Sequence, residues 1–135
     1  MTRIKTAGLL LALVAVAPLG GCFGGGDDGS DSDAVNQVLT DLQSASRDGD
    51  GSRICDEIFT PKLAASVSRN AKSGSCATEV KAKLFSPKAQ IDVEKIAVPN
   101  ESNATATVKE ANGNVSKVLL VKQDGHWRIR GVTPA

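Results

Sequence analysis

The sequence predicts an α+β domain over residues 33–135, with helices first and a curved antiparallel sheet of about four strands after them. Three observations carry that expectation. Apolar residues recur at helical spacing over residues 35–84 and then switch to alternation from Ile91 onward. Asn112-Gly113 and Asp124-Gly125 separate alternating runs as two-residue hairpin signals. Asp33, Thr60-Pro61 and Ser75 stand where helix starts are needed.

In chain order, Val35, Val38, Leu39, Leu42 and Ala45 define the apolar stripe of a first helix, capped by Ser32 or Asp33. The run Arg47-Asp48-Gly49-Asp50-Gly51 ends it. Ser52 is expected to cap a short second helix, with Ile54, Cys55, Ile58 and Phe59 inward. Thr60-Pro61 supplies a hydroxyl cap and a first-turn proline for a third helix, which turns Leu63, Ala64 and Val67 inward. Ser75 opens a fourth, with Cys76, Val80 and Leu84 on one face and Lys81 and Lys83 outward, and Ser86-Pro87 closes the helical half.

In the second half, Ile91 and Val93 alternate with Asp92 and Glu94, and the phase then slips to Ile96 and Val98, which predicts a bulge. Ala104, Ala106 and Val108 alternate with threonines. Residues 115–122 form the most apolar run and are expected to be central. The last strand, 126–132, puts Trp127 and Ile129 on one face and Arg128 and Arg130 on the other. The helices are expected to cover the face that bears Trp127.

The start of the chain reads differently. Of 135 residues, 1–21 carry a basic start (Arg3, Lys5) and an apolar run that ends in small residues, the pattern of a secretory signal peptide. The apolar run is shorter than the roughly 20 residues of a permanent membrane helix. Leu19-Gly20-Gly21-Cys22 matches the lipobox of bacterial lipoproteins. There the cysteine thiol takes a diacylglyceryl group, and small residues must flank the bond that is cut before it. Two or three acyl chains, palmitate among them, anchor a protein stably where one is marginal. Residues 22–32 then read as the lipidated cysteine and a flexible Gly/Asp tether, because glycine and short acidic residues bury too little apolar surface to order a chain.

With Cys22 committed to lipid, Cys55 and Cys76 remain, each on the apolar face of its own helix. Export permits oxidation, so a disulfide between them is the expectation. A redox or metal pair is the rival, with His126 as the one imidazole available to it. Loss of the signal segment removes Arg3 and Lys5, so Lys and Arg fall from 16 to 14 against 15 Asp and Glu. That balance excludes a basic nucleic-acid footprint and argues against a polybasic membrane patch. The absence of Tyr and the single Trp leave few stacking platforms. No phosphate loop, nucleophile elbow or metal-ligand spacing occurs, so no catalytic residue, metal or cofactor is expected. His126, beside Trp127 on a strand, is expected to face outward, and Asp56, Glu57, Asp92 and Glu94 to be solvated.

The order of these pieces resembles small actinobacterial lipoproteins with a nuclear transport factor 2-like domain, the cone-shaped fold shared with ketosteroid isomerases and polyketide cyclases. The residues that carry the resemblance are Arg47-Asp48-Gly49-Asp50, Ile54-Cys55, Thr60-Pro61, Ser75-Cys76 and 123–129, and it covers about residues 33–133. It implies a curved sheet wrapped around helices, forming a cone able to hold a ligand. The expected protein is a non-catalytic lipoprotein on the extracytoplasmic face of the cell membrane. Its partners are the bilayer, through lipid on Cys22, and an apolar small molecule or an envelope protein. The expected ligand-facing residues are Ala106, Val108, Leu119, Val121 and Trp127. A degenerate cyclase- or isomerase-like enzyme is the alternative, and an open and a filled cone are equally compatible with the sequence.

Overall fold

A computed structural model describes residues 28–84 and 90–135. The expected signal segment, Cys22 and Ser86-Pro87 lie outside the described residues, as does the side chain of Leu84. Helix α1 spans Asp28–Asp48. The short helix α2, Gly51–Arg53, runs straight into a π-helical stretch, Ile54–Ile58. Helices α3, Pro61–Asn70, and α4, Cys76–Leu84, follow. Four antiparallel strands complete the fold: β1 (Ile91–Asn100), β2 (Asn103–Glu110), β3 (Val115–Gln123) and β4 (His126–Pro134). They form one sheet in the order β1-β2-β3-β4, with β3 in the interior as expected.

The helix caps follow the sequence in two cases and depart from it in two. The Thr60 hydroxyl accepts from the Leu63 N–H (3.2 Å) and the Ser75 hydroxyl from Thr78 N–H (3.4 Å). The start of α2 is capped not by Ser52 but by Asp50, whose carboxylate accepts from Arg53 N–H at 3.0 Å. Helix α1 is already helical at Asp28, the first described residue, rather than starting after Ser32 or Asp33, so the last residues assigned to the tether are helical. The physical reason is a tertiary tie. One carboxylate oxygen of Asp31 accepts from the Lys122 ammonium (2.9 Å) and from the Trp127 indole N–H (3.1 Å). The same ammonium stands 5.7 Å from the centre of the Trp127 ring. Packing of this kind stabilises a helical turn that propensity alone would leave as coil, and an acidic residue suits a helix start.

Those donors hold the Asp31 carboxyl below the usual carboxylate range, the Lys122 and Trp127 hydrogen bonds being the main causes. A carboxylate with a depressed folded-state pKa contributes stability that is complete above its ordinary value. That contribution is lost as pH falls through the folded-state value. Asp31→Asn should therefore lower the unfolding midpoint at neutral pH, and the gap to the wild type should close in acid. The wild type should lose its advantage over the variant only below the ordinary carboxylate value. A gap that stays constant down through that range would show that the ionised carboxylate of Asp31 is not what stabilises the tie. Trp127, the one tryptophan, reports both transitions by its fluorescence.

The core lies between the helices and one sheet face. Val35, Leu39 and Ala45 of α1 meet Ile54, Cys55 and Ile58 of the π-helical segment, Phe59 just after it, and Cys76 and Val80 of α4. From the sheet come Ala104, Ala106, Val108, Val118, Leu120, Trp127 and Ile129. Trp127 and Ile129 thus share the helix-facing side, as the alternation of β4 predicts. The β1 phase slip is also present, as a register shift between Val93 and Lys95. The segment after the π-helix docks on the β4 edge through a parallel bridge between Phe59 and Ile129, with Thr60 N–H donating to Ile129 O (2.8 Å). The Arg128 guanidinium reaches round that edge to the carbonyls of Asp56 (2.8 Å) and Phe59 (3.3 Å). Cys55 and Cys76 are joined, their sulfur atoms 2.00 Å apart, and tie this segment to α4.

The two hairpin signals behave differently. Asp124 and Gly125 both take positive φ (51° and 78°) in a two-residue loop that pairs Gln123 with His126, as expected. The Asn112-Gly113 signal does not make a two-residue loop. Gly113 N–H donates to Glu110 O (2.8 Å) and Glu110 N–H to Asn114 O (2.8 Å), so the loop has three residues, with Gly113 at positive φ. Lys109 then faces Val115 and Ala106 faces Val118. A two-residue loop would have placed Ala106 opposite Leu119. This one-residue slip turns every β3 side chain to the other face of the sheet.

Candidate functional site

Among the described residues, two depressions lie on the helical side of the sheet. The first holds about 430 Å³ and opens at the end of the sheet that bears the β2–β3 hairpin. Its apolar wall comes from Leu42 of α1, Ile91 of β1, Val108, Val118 and Val132. Polar groups stand among these. The Gln43 amide oxygen faces the Ile91 N–H (3.2 Å) and the Arg47 guanidinium (3.1 Å), its orientation assigned from those neighbours. Glu110 at the hairpin accepts from Asn112 (3.1 Å) and from the Ser116 hydroxyl (3.3 Å). Ser46 is buried on α1, and Lys83 on the rim pairs with Glu79. An apolar wall with few polar groups is the usual lining of a small-molecule pocket.

The second depression, about 470 Å³, lies between α1, the π-helical segment and the β3–β4 hairpin. Its charged groups are already partnered. Arg53 contacts Asp41 (3.3 Å) and Glu57 (3.6 Å), and Arg128 is spent on backbone carbonyls. His126 is exposed there, as expected, and Asp56, Glu57, Asp92 and Glu94 are exposed too. Among the described residues its charged side chains are paired with one another or with backbone carbonyls, and the His126 imidazole stands exposed at its edge.

The residues expected to face a ligand separate in the structure. Val108 lines the first pocket. Ala106 is fully buried beneath it, and Trp127 is buried toward the other end, held by Asp31. Leu119 and Val121 are corrections. They pair with Thr105 and Asn103, on the side of the sheet away from the helices, and are only half-buried. The cause is the three-residue loop: the inward positions of β3 are Val118 and Leu120, both buried. The space between helices and sheet is packed through Ala106 and Leu120, opens at the β2–β3 hairpin end, and leaves Trp127 bordering the second depression. Sequence reasoning missed Leu42, Gln43, Ile91 and Val132 as pocket residues, and helical spacing had signalled Leu42 only as core.

No family model matches the chain, and no curated protein does. Among solved structures, it is similar to the crystal structure of an NTF2-like protein of unknown function from Shewanella baltica OS155. The TM-score is 0.52 and the identity 16%, over 79% of this chain and 97% of that one. At that identity the likeness defines the fold alone. The domain has the nuclear transport factor 2-like fold, built from four helices and a four-stranded antiparallel sheet.

Proposed function

We propose that this chain is a lipid-anchored, non-catalytic protein of the bacterial envelope whose cone binds an apolar small molecule at its open end. The observation that carries the ligand reading is the pocket walled by Leu42, Ile91, Val108, Val118 and Val132. The non-catalytic reading is supported by the core-facing chemistry. Among the described residues, the buried polar side chains are Ser46 and Thr60, neither of them ionisable at neutral pH. A cyclase or isomerase needs an acid or base held at the reacting atom. The anchor rests on Leu19-Gly20-Gly21-Cys22 and on the signal segment before it.

Native mass spectrometry on the protein extracted from its own membrane tests the ligand. The wild type should carry an added non-covalent mass. Val132→Trp, at an exposed position on the pocket wall, should lose it without losing the fold. A wild type that never carries such a mass would sink the ligand reading. For the anchor, labelled palmitate should enter the wild type and not Cys22→Ser; equal labelling would remove it.

A further inference from the structure

The inward stripe of α1 ends on a serine. Val35, Leu39 and Leu42 set that stripe, and Ser46 follows at the next turn, where the pattern calls for another apolar residue. Ser46 is only 7% exposed and lines the pocket at the β2–β3 hairpin end. A hydroxyl buried without a partner costs stability, so each one asks for a reason. Thr60, the other buried polar side chain among the described residues, caps α3. The Ser46 carbonyl accepts from Gly49 N–H (3.3 Å), but its hydroxyl has no hydrogen-bond partner among the described residues. No fully enclosed side-chain oxygen or nitrogen there goes unpartnered, so this hydroxyl is not sealed in the core but opens on the pocket it lines. The other polar side chains of the lining are accounted for. The Gln43 oxygen takes two donors, Ile91 N–H and the Arg47 guanidinium. Glu110, exposed on the hairpin, accepts from Asn112 and Ser116, and the Asn112 oxygen accepts from Asn114 N–H (2.8 Å). Lys83 pairs with Glu79, and Gln90 is exposed to water.

We infer that this pocket takes a neutral aliphatic compound carrying a single hydroxyl or carbonyl, a long-chain alcohol being the simplest case, with its oxygen on Ser46. The inference rests on the ligand reading above and narrows its chemistry. The wall of Leu42, Ile91, Val108, Val118 and Val132 is aliphatic throughout and presents no aromatic face to a flat ring. Ser46 can donate to an oxygen or accept from a hydroxyl. Gln43 stands one helical turn before it, and with its oxygen occupied it keeps its amide N–H groups as further donors. The ionised side chains of the lining, Lys83 and Glu110, already have partners away from Ser46. A carboxylate or an ammonium drawn in to Ser46 would therefore lose its water without gaining a countercharge. A neutral oxygen meets no such cost, and it gives the buried hydroxyl the partner it lacks. The rest of the ligand is hydrocarbon against the aliphatic wall.

Native mass spectrometry of the protein extracted from its own membrane, with probes of one chain length added in turn, tests this. Decan-1-ol should displace the co-purified mass at a concentration several-fold below that needed of decanoate or decylamine. Ser46→Ala removes the hydroxyl and puts a better helix former in its place, so the fold should hold. Its retention of decan-1-ol should nevertheless fall several-fold, the effect of one lost hydrogen bond. Retention of decane, which has no oxygen, should be the same in the two proteins. Displacement by decanoate or decylamine as readily as by decan-1-ol would overturn the inference. So would equal retention of decan-1-ol by wild type and Ser46→Ala, or a loss of decane as large as that of the alcohol. The two failures separate. A wild type with no co-purified mass that takes up none of the probes removes the ligand reading and this inference together. A wild type whose co-purified mass yields equally to the charged probes removes this inference alone.

Discussion

Replacing Cys55 and Cys76 by alanine should lower the unfolding free energy by about 3 kcal/mol. The bond closes a loop of sequence separation 21, and on the chain-entropy model cross-linking a loop of that size removes about that much from the unfolded state. A domain of this size has a total stability of about 5–15 kcal/mol, so the loss is a large share. The location adds to it. The π-helical segment packs Ile54, Cys55 and Ile58 into the core, and the disulfide joins it to α4. Urea unfolding read by Trp127 fluorescence gives the difference between the proteins. Reductant should move the wild-type midpoint to that of the double variant. A midpoint indifferent to both reductant and substitution would show that the staple adds nothing.

How much of this was legible in the sequence depends on how local the deciding physics is. The Cys55–Cys76 bond was legible because two cysteines on the apolar faces of two helices leave one pairing. The β3–β4 hairpin was legible because Asp124-Gly125 suits a loop with both residues at positive φ. Ala104, Ala106, Trp127 and Ile129 were placed on the core side because their strands alternate cleanly. Residues 118–121 of β3, Val-Leu-Leu-Val, are apolar at both parities, so alternation cannot orient them. Loop length decides instead, and Asn112-Gly113 accommodates either two or three residues. That single ambiguity moved Leu119 and Val121 from the pocket to the outer face. It also put Lys117 on the outer face, which it reaches only in the three-residue register. The start of α1 was illegible for a different reason: the partners of Asp31 are Lys122 and Trp127, at the far end of the chain.

Gly51→Ala should be among the most damaging single substitutions in the domain, although glycine in a helix usually weakens it. Alanine there would gain about 1 kcal/mol of helix propensity. Gly51 is buried where α2 crosses α4, and an added Cβ would overlap the Ala77 carbonyl and stand only 3.0 Å from the Ala77 Cα. The obstacle is backbone, which no rotamer change relieves. Overpacking of this kind costs about 1–3 kcal/mol, occasionally more, so the clash outweighs the propensity gain. The disulfide supplies the reason α4 cannot retreat, because Cys76 adjoins Ala77 and is bonded to Cys55. The two predictions are therefore coupled and should not add. Once the staple is removed, α4 is free to shift, and Gly51→Ala should cost less than in the wild type. A double-mutant cycle in urea measures that coupling. If Gly51→Ala costs the same with and without the bond, the close approach is held by the core around Ile54 and Val80 rather than by the disulfide.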